Sequence, residues 1–147
     1  MNNNSNKKNV EQHKLTEYEV LNDSNYVDCA EKAINNLKQD KTVITLNQIR
    51  KILSLNSEIY NDVINLKEEN ERLSEEIVGR INYLKVRILY DCGREKTVKN
   101  FEAQTHLIKH IDEVRRKNQK KYYLLFSQYL EALVAFRYYL IDEEKNK

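Results

Sequence analysis

A chain of 147 residues with no proline and two glycines, Gly79 and Gly93, cannot supply the tight turns that a β-sandwich or barrel demands. Such a chain suits long helices joined by few connections. Its length fits one domain, and a domain of roughly 150 residues buries about 70% of its unfolded-chain surface without staples. No apolar run is long enough for a transmembrane helix. Met1–Val10 is rich in Asn and Lys and has no apolar core, so no signal peptide is expected. Cys29 and Cys92 form neither a disulfide framework nor a CxxC site. Both fall in apolar helical patterns and read as reduced core residues of a cytoplasmic protein.

The expected fold is all-α, a compact bundle of about five helices over residues 23–143. A disordered polar tail at 1–22 precedes it, and a short tail at 144–147 follows. The first helix spans about Tyr26–Lys38, capped by Asp23 or Ser24, with Val27, Ala30, Ile34 and Leu37 inward. The second opens on Thr45 and Gln48, a capping box, and reaches about Lys67. The third spans about Leu73–Cys92, with Leu73, Ile77, Ile81, Leu84 and Ile88 inward and Gly93 as its C′ residue. Two antiparallel helices bury both apolar stripes where one long rod exposes them, so a break is expected near Glu69–Arg72. The fourth covers about Thr97–His110, as one helix or two short ones. The fifth, about Gln119–Ile141, has the strongest periodicity: Tyr122, Phe126, Tyr129, Leu133, Phe136 and Leu140. Leu124, Ala135 and Tyr138 lie off that stripe, which points to a central position in the bundle.

Catalytic and metal motifs are missing. His106 and His110 have the i,i+4 spacing of zinc ligands, with Glu113 as the one candidate third ligand. Leu107 stands where HExxH needs its glutamate, and the pair reads as two exposed helix histidines. Two glycines allow no P-loop, GxSxG or GxGxxG. No cofactor, no metal and no enzymatic activity are expected.

Charge is more informative. The net charge of +2 conceals 13 basic against 6 acidic residues between Ile77 and Arg137. At about 100° per residue, Arg80, Tyr83, Arg87, Tyr90 and Arg94 share one stripe, away from the core stripe of the same helix. Cations interleaved with aromatics can hold phosphates and pack on sugars or bases, although an ordinary solvated face looks the same. A second cluster, Arg115, Arg116, Lys117, Lys120 and Lys121, precedes the fifth helix. Positive charge there would oppose the helix dipole, which fits an anionic partner, although an ordinary charged loop accounts for it as well. Arg137 falls on the apolar stripe of the fifth helix, where it either snorkels, pairs with a carboxylate or meets a ligand.

Three segments together resemble the small helical subunit of the type III-A CRISPR interference (Csm) complex. They are Thr45-x-x-Gln48-Ile49-Arg50-Lys51, Leu84-Lys85-x-Arg87-x-x-Tyr90-x-x-Gly93-Arg94 and Phe126-x-x-Tyr129-Leu130-Glu131-Ala132-Leu133-Val134-Ala135-Phe136. The resemblance covers about Tyr26–Leu140. It implies a non-catalytic subunit whose copies stack along the backbone subunits, near the large subunit, and cradle the guide RNA and target RNA. No membrane partner is implied. By this analogy base pairing reads sequence and the protein reads backbone and shape. The expected RNA-binding set is Arg50, Lys51, Arg80, Tyr83, Arg87, Tyr90, Arg94, Arg115, Arg116, Lys117, Lys120, Lys121 and Arg137. The small subunit of the related type III-B complex and a helical protein–protein adaptor are the alternatives.

Overall fold

The structure, a computed structural model, describes residues 14–68 and 71–143. Among them are six α-helices: α1 Tyr26–Leu37, α2 Leu46–Val63, α3 Glu75–Arg94, α4 Lys96–Thr105, α5 Leu107–Lys117 and α6 Lys120–Leu140. The only ladder-type pairing among the described residues is an isolated antiparallel bridge between Arg72 and Gln119.

There are six helices rather than five because the expected fourth divides at His106, which adopts the left-handed conformation (φ 57°, ψ 36°). Asn118 (φ 54°) separates α5 from α6 in the same way. Asparagine tolerates this region through its short polar side chain; a histidine there is held by its surroundings. Neither glycine has positive φ. Gly93 is therefore not the C′ residue expected: it lies in the last turn of α3, and extended Glu95 ends that helix.

Local side-chain chemistry sets the other ends. Thr45 and Gln48 form the expected capping box at α2. The Ser74 hydroxyl accepts from the Ile77 N–H (3.1 Å) and starts α3. α1 departs from expectation: its N-cap is Asn25, without a capping hydrogen bond, and Val27 is exposed. The break between the second and third helices is present, since α2 ends at Val63 and α3 begins at Glu75. The connection is fastened at its far end, where the Glu71 carbonyl accepts from the Lys120 N–H (2.9 Å).

α6 packs against α1, α2 and α5, the central place its pattern implies. Phe126, Tyr129 and Leu133 are buried, and Phe136 and Leu140 are partly so. The second apolar side of α6 is Tyr123, Leu130 and Val134, whereas Ala135 and Tyr138 are exposed. Tyr123 satisfies its hydroxyl by donating to Asn56 Oδ1 (2.7 Å), and the Asn56 amide donates to Ser127 Oγ (3.1 Å), a polar tie between α2 and α6. Cys29 and Cys92 are free and half-buried, and burial pushes both thiols up to about 11.

The expected tail at 1–22 divides. Residues 1–13, like 144–147, lie outside the described residues. Residues 14–21 are placed, and they run extended along the bundle, pinned by Gln104, Asn36 and His106. A polar composition hid this because the pins are side chains up to 90 residues away.

Candidate nucleic-acid interface

α3 turns Ile77, Ile81, Leu84 and Ile88 into the core and leaves Tyr83, Val86, Leu89 and Tyr90 about half exposed. Tyr90 is 51% exposed and carries two guanidiniums: Arg87 lies 5.0 Å from its ring centroid and Arg94 5.5 Å. Arg87 also approaches Asp91 (3.7 Å) one turn on, an exposed pair of little energetic weight. Among the described residues no carboxylate pairs with Arg94, Arg50 or Lys51. Arg80, at the other end of the row, is engaged: it pairs with Asp62 and, at 3.9 Å, with Glu58 of α2. The row thus has a tethered end at Arg80 and an open end at Arg94.

The second cluster sits differently from its expected place. Arg115, Arg116 and Lys117 form the last turn of α5, where positive charge complements the helix dipole instead of opposing it. Arg115 donates to Asn82 (2.7 Å) and Asp112 (2.8 Å), and Arg116 grips both oxygens of Glu113 (2.9 Å each). Burial acts to raise the Asp112 carboxyl. Hydrogen bonds from Lys85 and Arg115 outweigh it and hold the group below its ordinary value. Lys117 and Lys121 flank the Tyr122 ring at 4.8 and 5.2 Å, a second tyrosine between two cations.

Two expected contacts are withdrawn into the fold. The Lys120 side chain is buried and donates to the Leu66 carbonyl, tying α6 to the end of the α2 connection. Arg137 is 1% exposed, donates to the Ile44 carbonyl (2.7 Å) and pairs with Glu143. Both are out of reach of a polyanion in this conformation. Conversely, Lys96 and Lys99, outside the expected set, add positive charge beside Arg94. They are exposed at the start of α4 and continue from Arg94 in sequence, a spacing visible in the sequence itself. The Thr97 hydroxyl donates to Gln48 Oε1 (2.9 Å), which sets this end of α4 beside the start of α2, the helix that carries Arg50 and Lys51.

The histidines also depart from expectation. His110 is buried between Tyr18 (4.9 Å) and Tyr129 (4.9 Å). Desolvation, then the neighbouring His106, lowers its pKa to about 4. His106 stands at the left-handed start of α5, where its carbonyl accepts from the His110 N–H (3.0 Å). Among the described residues no group of three His, Cys, Asp or Glu side chains could hold a metal ion, and no helix is long and apolar enough to cross a membrane.

A family model described as Csm2 Type III-A matches residues 21–141. The chain belongs to the Csm2 type III-A family. It is a small subunit of the type III-A Csm complex, which decides against the type III-B alternative. Three relatives each called "CRISPR system Cms protein Csm2" align with it. The one from Streptococcus thermophilus is 36% identical over 124 residues, 82% of this chain and 95% of the relative. The one from Enterococcus italicus is 38% identical over 93 residues, 63% and 65% of the two chains. A Mycobacterium tuberculosis relative is 30% identical over 108 residues, 74% and 84%. The Csm2 match takes in all six helices and both tyrosine–cation clusters, and it begins after most of the extended segment at 14–21.

Proposed function

We propose that this chain is the non-catalytic subunit that lines the guide–target RNA path of its complex. It grips the phosphate backbone without reading bases, and its copies stack head to tail along the assembly. The observation that carries the reading is the open end of the α3 row. Tyr90 is exposed between Arg87 and Arg94, with Lys96 and Lys99 following at the start of α4. A guanidinium held over an aromatic face stays oriented while its outer edge can meet a phosphate. Arg50 and Lys51 extend the positive surface, and Tyr122 with Lys117 and Lys121 offers a second contact of the same kind. Arg80, Arg115 and Arg116 support the surface through their carboxylate partners and contribute less to binding. Lys120 and Arg137 leave the proposed set.

Ultraviolet cross-linking of the assembled complex to its RNA, followed by peptide mass spectrometry, tests this. The expected adducts fall on peptides containing Tyr90 or Tyr122, across unrelated guide sequences. A second reading, a protein-docking role for the same face, draws on Val86 and Leu89 standing exposed beside the row. Cross-links from α3 to protein alone, with none to RNA, would favour that adaptor role.

A further inference from the structure

Residues 14–21 lie extended in a groove formed by α1, the end of α4 and the start of α5. Gln104, almost fully buried, applies both ends of its amide to this segment. Its Oε1 accepts from the Thr16 N–H (2.9 Å) and hydroxyl (2.6 Å), and its Nε2 donates to the Lys14 carbonyl (3.0 Å). The Asn36 amide donates to Thr16 Oγ1 (2.9 Å), and His106 Nε2 lies 2.6 Å from the Thr16 carbonyl. Tyr18 seats on His110 (4.9 Å) and meets His106 edge-on (5.8 Å), with Lys109 over its ring. Leu15 (64%) and Val20 (55%) are exposed, while Leu21 at the end of the segment packs partly buried against the core.

This is how a receptor holds an extended peptide. A side-chain amide supplies strand-like main-chain pairing, and one aromatic anchor supplies specificity. Leu15 and Val20 stay in water and Leu21 is only partly buried, so limited apolar burial fixes the segment, and elements of that kind open at low free-energy cost. Asn36, Gln104, His106 and His110 all lie inside the family match, whereas residues 14–20 precede it. The groove residues thus fall within the family match, and all of the segment but Leu21 precedes it. Between them the chain turns at Asn22–Asn25, where the Asn25 N–H donates to the Asn22 carbonyl (3.2 Å).

We infer that this groove is a binding site for an extended peptide, filled in one chain by its own residues 14–21 and open to the same segment of a second copy. Exchange requires a change only at the turn 22–25, because every groove contact is the same within a chain and between chains. Swapping an identical element is a low-cost route to association. Its extent follows the effective concentration of neighbouring copies. The inference is independent of the RNA reading.

A thiol trap tests it. Glu19 Oε1 lies 3.6 Å from Cys29 Sγ, so Glu19→Cys places a second thiol on the side of the segment that faces Cys29 when the segment is seated. The full-length chain with Glu19→Cys and Cys92→Ser is oxidised in mildly alkaline buffer over a concentration series and run on non-reducing gels. Seating within a chain gives a monomer with an internal disulfide, and seating between chains gives covalent dimers and longer ladders. The expected result is a dimer fraction that rises with concentration. It should be lost when Tyr18→Ala or Thr16→Pro is added, both changes lying on the segment, with helical circular dichroism retained. Three results overturn the inference: internal disulfides alone at every concentration, dimers insensitive to both segment changes, or no disulfide at all.

Discussion

Arg94 and Arg137 carry the same charge, and their surroundings give them opposite uses. Arg137 is enclosed, with the Ile44 carbonyl and Glu143 as partners, so Arg137→Ala should cost about 1–3 kcal/mol of stability, read as a lower Tm. Arg94→Ala should leave Tm nearly unchanged, as surface substitutions usually do. Periodicity could not separate the two, because a long cationic side chain on an apolar stripe can reach solvent or turn inward. His110 was misplaced for a related reason: its burial depends on Tyr18, which lies 92 residues earlier in the chain. Its pKa falls from an ordinary 6.5 to about 4 in the fold. The unfolded chain therefore takes up a proton first as pH drops. The stability that neutral His110 retains above pH 6.5 is lost between about 6.5 and 4, on the order of 3 kcal/mol. His110→Gln should flatten stability across that window in denaturant titrations, and an unchanged slope would show that the ring titrates freely.

At the scale of elements, the legible features were those fixed by neighbours in sequence. Thr45 and Gln48 cap α2 as their spacing implies, and Thr45→Ala should cost about 1 kcal/mol in chemical unfolding. The core stripes of α3 and α6 were readable for the same reason. The break before α6 fell where the sequence placed it, but the division at His106 and the run of α5 on to Lys117 had no sequence position, because left-handed residues without glycine leave no compositional mark. Gly93 was misread in the complementary way: a glycine near a helix end suggests a C′ position, and the chain continues through it as helix. An added Cβ at Gly93 meets no atom within 4 Å. Gly93→Ala should therefore stabilise α3 by about 0.5–1 kcal/mol, seen as a raised Tm. A fall in Tm would contradict the open space found around this position.

For the whole molecule, the arrangement separates support from contact. α6 at the centre holds α1, α2 and α5, and α3 stands against α2, α4 and α5 with its outer face uncovered. Many of the thirteen residues expected from sequence to meet RNA cluster on or beside that face. The structure ranks them by their partners among the described residues: Arg80 is tethered to Asp62 and Glu58, Arg116 to Glu113, and Arg94 lies over the Tyr90 ring with no carboxylate beside it. Sequence pattern could place the cations on a stripe but could not show which carboxylates answer them from other helices. The ranking gives the central test, the salt dependence of guide–target duplex retention by the assembled subunit, measured for wild type, Arg80→Ala and Arg94→Ala. Each phosphate contact adds roughly 0.7–0.9 to the slope of log K against log salt. Arg94→Ala should lower that slope by about one such step on unrelated sequences alike, while Arg80→Ala changes it little. An unchanged slope for Arg94→Ala, with the protein still folded, would contradict the account.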